Sequence, residues 1–294
     1  LAEAYRNLGW RPLWIADGEL APEAWRVLEL VRDAAADGLN PSSYEPERLR
    51  ATLAAAESDR RGLPEAERLL SRTLINYVRD LRTAPISARL IYTDKALAPV
   101  AVTAETVLTQ VAAAQSLAEG VHAATRMNPV YEGLKRSLTE AAPGDRQIIR
   151  LNLERARALP QELGPRYVLV DVAAQRLWWY EHGQLQGSMK VVVGKPSMAT
   201  PAMAGLIRFA VYNPYWNLPQ DLVRERANTV LRRGVGAFTA ERLEALSDWS
   251  STARAMEPTD VDWHAVAAGR QALRVRQLPG AENTMGGVKL MLPN

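Results

Sequence analysis

A chain of 294 residues can do covalent chemistry only with the nucleophiles and bases it holds, and here the inventory is short. Cysteine is absent, which removes disulfides, thiolate metal sites and any thiol nucleophile from the residues shown. The three histidines, His122, His182 and His264, lie far apart, and none stands in a metal-ligand spacing such as H-E-x-x-H. Each has a plain place: a helix surface, a hairpin turn and a loop. No G-x-S-x-G elbow or S-x-x-K pair occurs, which argues against a serine hydrolase. Gly194-Lys195-Pro196-Ser197 has a superficial likeness to a phosphate loop, but its glycine spacing is wrong and Pro196 interrupts a helix start, so it reads as a turn. Asp260 and Asp262 flank one valine and share a face of an extended segment, whereas a two-carboxylate glycosidase draws its acids from separate elements. They read as a solvated loop. No cofactor or metal site emerges from these residues.

What remains is a set of segments suited to shaping a cleft. Val191-Val-Val-Gly194-Lys-Pro196, then Thr200-Pro201, then Asn213-Pro-Tyr-Trp-Asn-Leu-Pro219 alternate strand, turn and aromatic-Asn-Pro stretches. Proline fixes the backbone there, while Asn and aromatic side chains offer hydrogen bonds and flat contact surface. Tyr212, Asn213, Trp216, Asn217 and Pro219 are the cleft-shaping candidates, and a pure core role for Tyr215 and Trp216 stands beside that reading.

The elements that would carry these residues follow from periodicity. Apolar residues make up 47% of the chain and charged residues 23%, as in soluble globular proteins, and the length suits one large domain or two ordinary ones. Lys+Arg 36 against Asp+Glu 33 leaves a net charge of +3, too small an excess for a nucleic-acid-binding face. No apolar run is long enough to span a bilayer, and the start shows no signal-peptide pattern; because the chain opens on Leu1, any signal or membrane anchor upstream would not be visible.

The first half reads as helices. Leu70, Leu74, Tyr77 and Leu81 form one stripe of a helix over Pro64 to Arg82. Further helices are predicted over Pro22 to Asp37 (stopped by Gly38), Pro46 to Glu57, Thr103 to Leu117, from Asn128-Pro129 onward, and from an Asp145 cap to Leu159. Between Pro160 and Pro165 the pattern changes. Arg166 to Val172, Gln175 to Glu181 and Gln184 to Val193 read as an antiparallel meander with a turn at His182-Gly183. Leu206 to Tyr212, Ala272 to Arg276 and Val288 to Leu292 add strands. Residues 219 to 268 read as a helical or loop-like insertion.

Taken together, these segments carry a family likeness. Tyr167-Val-Leu-Val-Asp-Val172, Leu177-Trp-Trp-Tyr-Glu-His-Gly183, Lys190-Val-Val-Val-Gly194-Lys-Pro196, Thr200-Pro201 and Asn213-Pro-Tyr-Trp-Asn-Leu-Pro219 resemble the YkuD-type catalytic domain of L,D-transpeptidases. Their order, with Asn152-Leu-Glu-Arg155 and Leu159-Pro160 upstream, resembles the large YcbB-like branch. Tyr5-Arg6-Asn7, Pro12-Leu13-Trp14 and Ala34-Ala-Ala-Asp-Gly-Leu39 with Pro41 and Tyr44 resemble its helical scaffold domain. The resemblance implies an α+β protein: an all-helical scaffold over residues 1–164, then a mostly antiparallel β catalytic domain over residues 165–294, incomplete at its C-terminus, with a helical lid at about 220–268.

The resemblance also implies a periplasmic enzyme, free or anchored to the inner membrane, that acts on peptidoglycan stem peptides and is open to β-lactams of the carbapenem class, without nucleic acid or cofactor. Such enzymes use a cysteine in a Ser-His-Gly-Cys context with a nearby histidine. In the family, a segment like Gly286-Gly-Val-Lys-Leu-Met-Leu-Pro-Asn294 leads into the strands that carry them, so both are expected beyond Asn294. A cysteine-free relative that only binds peptidoglycan, and an L,D-carboxypeptidase or endopeptidase, are the alternatives. Between Leu138 and Gln147 there is room only for a loop where larger members carry a small peptidoglycan-binding module: either this member lacks it, or residues were omitted there.

Overall fold

The computed structural model describes residues 1–84 and 90–292, and the chain divides into two compact units, Leu1–Ala204 and Gly205–Asn294. Pro293 and Asn294, the last residues of the segment that resembles the family, lie outside the described residues.

The first unit is built on helices α1 (Ala2–Asn7), α2 (Glu23–Arg32), α3 (Pro46–Ser58), α4 (Leu63–Arg82), α5 (Ala104–Ala113), α6 (Leu117–Thr125), α7 (Pro129–Glu140) and α8 (Pro143–Ala156). α4 is central. Its predicted stripe of Leu70, Leu74, Tyr77 and Leu81 is fully buried, and Val27, Leu28 and Val31 of α2 and Leu49 and Leu53 of α3 join the same core. Each such aliphatic side chain stabilises the fold by roughly 1.5–3 kcal/mol. The single helix expected over Pro22 to Asp37 is interrupted: α2 ends at Arg32, a 3-10 turn follows over Ala34–Asp37, and Gly38 closes that turn in the left-handed conformation at φ 69°.

A short ribbon, β1 (Ile15–Ala16) with β2 (Glu19–Leu20), follows α1. The N-terminal segment is tied to α4 through Glu67, whose carboxylate accepts from the Tyr5 hydroxyl at 2.5 Å and from the amides of Leu13 and Trp14 at 2.7 and 2.9 Å. The wholly buried Trp14 donates its indole N–H to Ser71 Oγ at 2.8 Å.

The meander follows as β4 (Arg166–Asp171), β5 (Arg176–Glu181) and β6 (Gln184–Lys190). His182 and Gly183 both adopt positive φ, 46° and 76°, the conformation that a two-residue turn between twisted strands requires. Trp179 lies opposite Gly187, and a Cβ there would come within 2.3 Å of the indole, so only glycine fits under the ring. β7 (Met203–Ala204) pairs in parallel with β3 (Ile91–Tyr92), from the connection after α4, which gathers the meander segment and the helices into one unit.

The second unit contains β8 (Phe209–Tyr212), β9 (Trp216–Asn217), α9 (Gln220–Arg233), α10 (Gly236–Ala240), β10 (Leu243–Leu246), β11 (Ala255–Met256), α11 (Trp263–Ala267), β12 (Arg274–Gln277) and β13 (Val288–Met291). Four strands form an antiparallel sheet in the order β11-β10-β12-β9, and β8 pairs with β13 as a separate ribbon. A second core of Val223, Ala227, Val230, Phe238, Trp263 and Val275 lies against α9 and α11, with the Phe238 and Trp263 rings 5.0 Å apart.

Four further sequence expectations are corrected. The helix expected over Thr103 to Leu117 is α5, capped by Thr103 and ending at Ala113, and a further helix the sequence reading did not include, α6, starts at Leu117, where Ser116 caps it by accepting from the Glu119 amide. Asp145 is not a cap: Pro143 sits in the first turn and Asp145 follows it, so the helix begins two residues earlier and ends at Ala156. Residues 219 to 268 hold helices α9, α10 and α11, as expected of the insertion, but also strands β10 and β11. His264 stands in α11 and not in a loop, since Asp262 caps that helix by accepting from the Ala265 amide at 2.9 Å.

Candidate functional site

The cleft-shaping candidates fall on one continuous wall of the second unit. β8 ends at Tyr212, which is 76% exposed. Asn213 follows in the left-handed region at φ 48°, and its amide donates to Gly287 O at 2.9 Å. Asparagine tolerates this left-handed backbone because its short polar side chain makes local bonds.

From Pro214 the residues alternate with strand period. Pro214 and Leu218 are buried and Trp216 is half-buried against the second core, while Tyr215, Asn217 and Pro219 face outward. Trp216 thus lies on the core side. Pro219 ends the wall and opens α9.

Two features fix the wall. Asn283 is buried, and its amide donates to the carbonyls of Pro214, Gln277 and Leu278 at 3.1, 3.3 and 2.9 Å, while its oxygen accepts from the Met285 amide at 2.7 Å. Gln277 does similar work beside it, donating to the Glu241 and Glu282 carbonyls and accepting from Thr284 N. Backbone groups that would be stranded inside the fold are thereby satisfied.

On the outer side, the Arg276 guanidinium lies over the Tyr215 ring at 4.2 Å, and its Nε and Nη2 both reach Glu244 Oε2 at 2.8 Å. Asn217 is paired with Arg276 across β9 and β12. The arrangement presents a cation held in one orientation, with Nη1 unused by Glu244, beside an exposed amide: groups suited to a carboxylate and a peptide. Tyr215, Arg276 and Glu244 were not among the sequence candidates. The burial of Pro214 sets the alternation that turns Tyr215 outward, whereas Arg276 and Glu244 reach the wall only through pairing of β12 with β9 and β10.

In the first unit a separate cavity of about 750 Å³ is lined by Arg26, Glu29, Asp37, Tyr77, His122 and Lys135, among others. At its floor the buried Asp37 carboxylate accepts from the Tyr77 hydroxyl at 2.7 Å, from Tyr131 at 3.1 Å and from Lys135 Nζ at 2.8 and 2.9 Å. Arg157 Nη2 donates to the Asp37 carbonyl at 2.6 Å. Burial and then the Asp37 charge push the Tyr77 hydroxyl far above the usual phenol range, and the same two causes raise Tyr131. The carboxylate is engaged on both oxygens by the protein's own groups, so it braces helices and is not a free reagent.

Among the described residues no cluster of three or more His, Asp or Glu could hold a metal, and no helix is long and apolar enough to cross a membrane.

Known proteins resemble both parts of the chain. A family model described as the scaffold domain matches residues 1–138, and one described as the L,D-transpeptidase catalytic domain matches residues 165–268. A Haemophilus influenzae protein, provisionally named as an L,D-transpeptidase, is 26% identical over 148 residues. That match covers 50% of this chain and 29% of the relative's length. Residues 165–268 thus match the catalytic domain of the L,D-transpeptidase family, and residues 1–138 match the scaffold domain.

Proposed function

We propose that this chain is the scaffold and substrate-holding part of a peptidoglycan L,D-transpeptidase that works in the periplasm and makes 3→3 cross-links. The observation that carries the reading is the match of residues 165–268 to the catalytic domain, a span that includes the Tyr212 to Pro219 wall. In domain terms, residues 1–164 are the scaffold, 165–294 the catalytic region and about 220–268 its lid. Tyr212, Asn213, Asn217 and Pro219 bind the stem peptide, Trp216 backs them from the core side, and Arg276 is oriented toward a stem carboxylate.

The nucleophile is a cysteine supplied from outside these 294 residues, none of which is cysteine. Its thiolate attacks the carbonyl carbon of the third stem residue, the C–N bond to the terminal D-Ala breaks, and D-Ala leaves carrying a proton delivered by the histidine. Backbone amides stabilise the oxyanion of the intermediate. An amine of a neighbouring stem then attacks the thioester and releases the thiolate, so the sequence balances without a cofactor. A carbapenem would acylate the same thiolate.

The protein expressed from its complete gene, incubated with tetrapeptide-containing muropeptides, is expected to yield a 3→3 dimer and free D-Ala by mass spectrometry. Tripeptide alone would replace transfer with L,D-carboxypeptidase hydrolysis. A complete gene without a cysteine codon, together with retention on sacculi, would replace both with a peptidoglycan-binding scaffold.

A further inference from the structure

Strand β12 lies between β10 and β9, and Arg276 stands mid-row across the three, paired with Glu244 on one side and Asn217 on the other. Residues opposite one another in antiparallel strands share a face. Their chain neighbours Val275, Ala245 and Leu218 are buried in the second core, so the row lies on the other face of the sheet.

A guanidinium on a sheet surface is ordinarily free to swing, and its pairing with a carboxylate then contributes little. Arg276 is held instead. Its side chain is 28% exposed and that of Glu244 27%, and the Tyr215 ring lies against the guanidinium, with 4.2 Å from its carbon to the ring centroid. Glu244 receives Nε and Nη2 on one oxygen, Oε2, both at 2.8 Å. A planar guanidinium has two donor edges, Nε with Nη2 and Nη2 with Nη1. Glu244 takes the first. Among the described residues no acceptor meets the second, which keeps one N–H on each terminal nitrogen.

That open edge specifies its ligand. Two parallel N–H groups match the two oxygens of a carboxylate, whereas a carboxamide meets them with one oxygen and one opposed donor. The Glu244 charge beside the guanidinium opposes a dianion such as phosphate more strongly than a monoanion. Charge on the pair is nearly balanced, so the selection comes from the direction of the edge, and the group that holds that direction takes part in it.

We propose that Arg276 distinguishes a free carboxylate from a carboxamide on the bound peptide, and that Glu244 is the positioning residue that aims it. That the ligand is a stem peptide rests on the peptidoglycan reading above; that it carries a carboxylate rests on the open edge.

Titration calorimetry of the full-length protein tests this with two probes: a stem tetrapeptide with free carboxyl groups, and the same peptide with every carboxyl group converted to a carboxamide. Runs at about 1 M salt confine charge effects to ~3 Å and leave direction as the variable. The wild type is expected to prefer the free acid at least about tenfold, and Arg276→Gln to cut the preference to about twofold or less. Glu244→Ala is expected to lose it to the same extent, while Glu244→Gln, which keeps an acceptor for the first edge, stays within about threefold of the wild type. Carboxamide binding is expected to be equal in the wild type and all variants, because a merely structural defect in the wall would weaken both peptides together. Absent or equal binding of the two peptides by the wild type, a preference that survives Arg276→Gln or Glu244→Ala, or displacement of the free acid by an equal concentration of inorganic phosphate would overturn the inference. Turnover tells its failure from that of the transpeptidase reading. A protein that prefers the acid through Arg276 and makes no 3→3 dimer refutes that reading and supports the selection; one that makes the dimer from both peptides with equal KM does the reverse.

Discussion

Asp37 shows how one side chain can hold several helices together. It accepts from Tyr77 of α4 and from Tyr131 and Lys135 of α7, while Arg157, just past α8, bonds its carbonyl. In Asp37→Asn the Lys135 ammonium loses its partner at a buried site. We expect a loss of about 3 kcal/mol, at the low end for breaking a buried ion pair because Lys135 reaches solvent, read from the urea midpoint. A change below about 0.5 kcal/mol would show that the network is not a brace. The sequence contained this residue in Ala34-Ala-Ala-Asp-Gly-Leu39, next to the helix stop, but one charged residue before a glycine carries no sign of partners 40 to 120 positions away. The stretch from Tyr212 to Pro219 was more legible. Asn213-Pro-Tyr-Trp-Asn-Leu-Pro219 stands out in the sequence, yet which rings face outward depends on Pro214 being buried under Asn283.

Elements repeat that lesson at larger size. The α4 stripe was readable because a 3.6-residue period needs only local residues, and the stripe is buried as expected. The break between α5 and α6 also had a local sign, Ser116 three residues before Glu119, an arrangement that starts helices. Strand β10 had none. Leu243-Glu-Ala-Leu246 is made of helix formers, and it becomes a strand because β11 and β12 pair on either side of it. Where α5 meets α6, Gly120 allows a close approach: a Cβ there would lie 2.6 Å from the Val111 carbonyl oxygen and 2.8 Å from its Cα. Helix propensity alone favours alanine by roughly 1 kcal/mol, whereas forced overpacking costs about 1–3 kcal/mol. The contact is with backbone and cannot swing away, so Gly120→Ala is expected to lower the urea midpoint; a raised midpoint would show that α5 and α6 separate freely.

Across the whole molecule, the buried tyrosines set an alkaline limit. Tyr77, Tyr131, Tyr5 and Tyr44 all have hydroxyls raised above the ordinary value of 10.0, burial being the largest cause for each. Above pH ~10 the unfolded chain releases these protons while the folded chain keeps them, so stability falls as pH rises from there toward the folded values. Below pH ~10 the contribution is fully present. Denaturation midpoints are expected to be insensitive to these groups from pH ~7 to ~9 and to drop above ~10, less steeply in Tyr77→Phe than in the wild type; equal slopes would remove Tyr77 from the account. The bonds of Glu67 bear on time as well as on strength. Tyr5, Leu13 and Trp14 lie 62, 54 and 53 residues ahead of the carboxylate that receives them. Translation delivers the amino end first, so during synthesis that segment emerges well before its anchor and waits until α4 has left the ribosome. Residues 5 to 14 are thus made well before the Glu67 carboxylate that fixes them, and their place in the fold is set only once α4 is present.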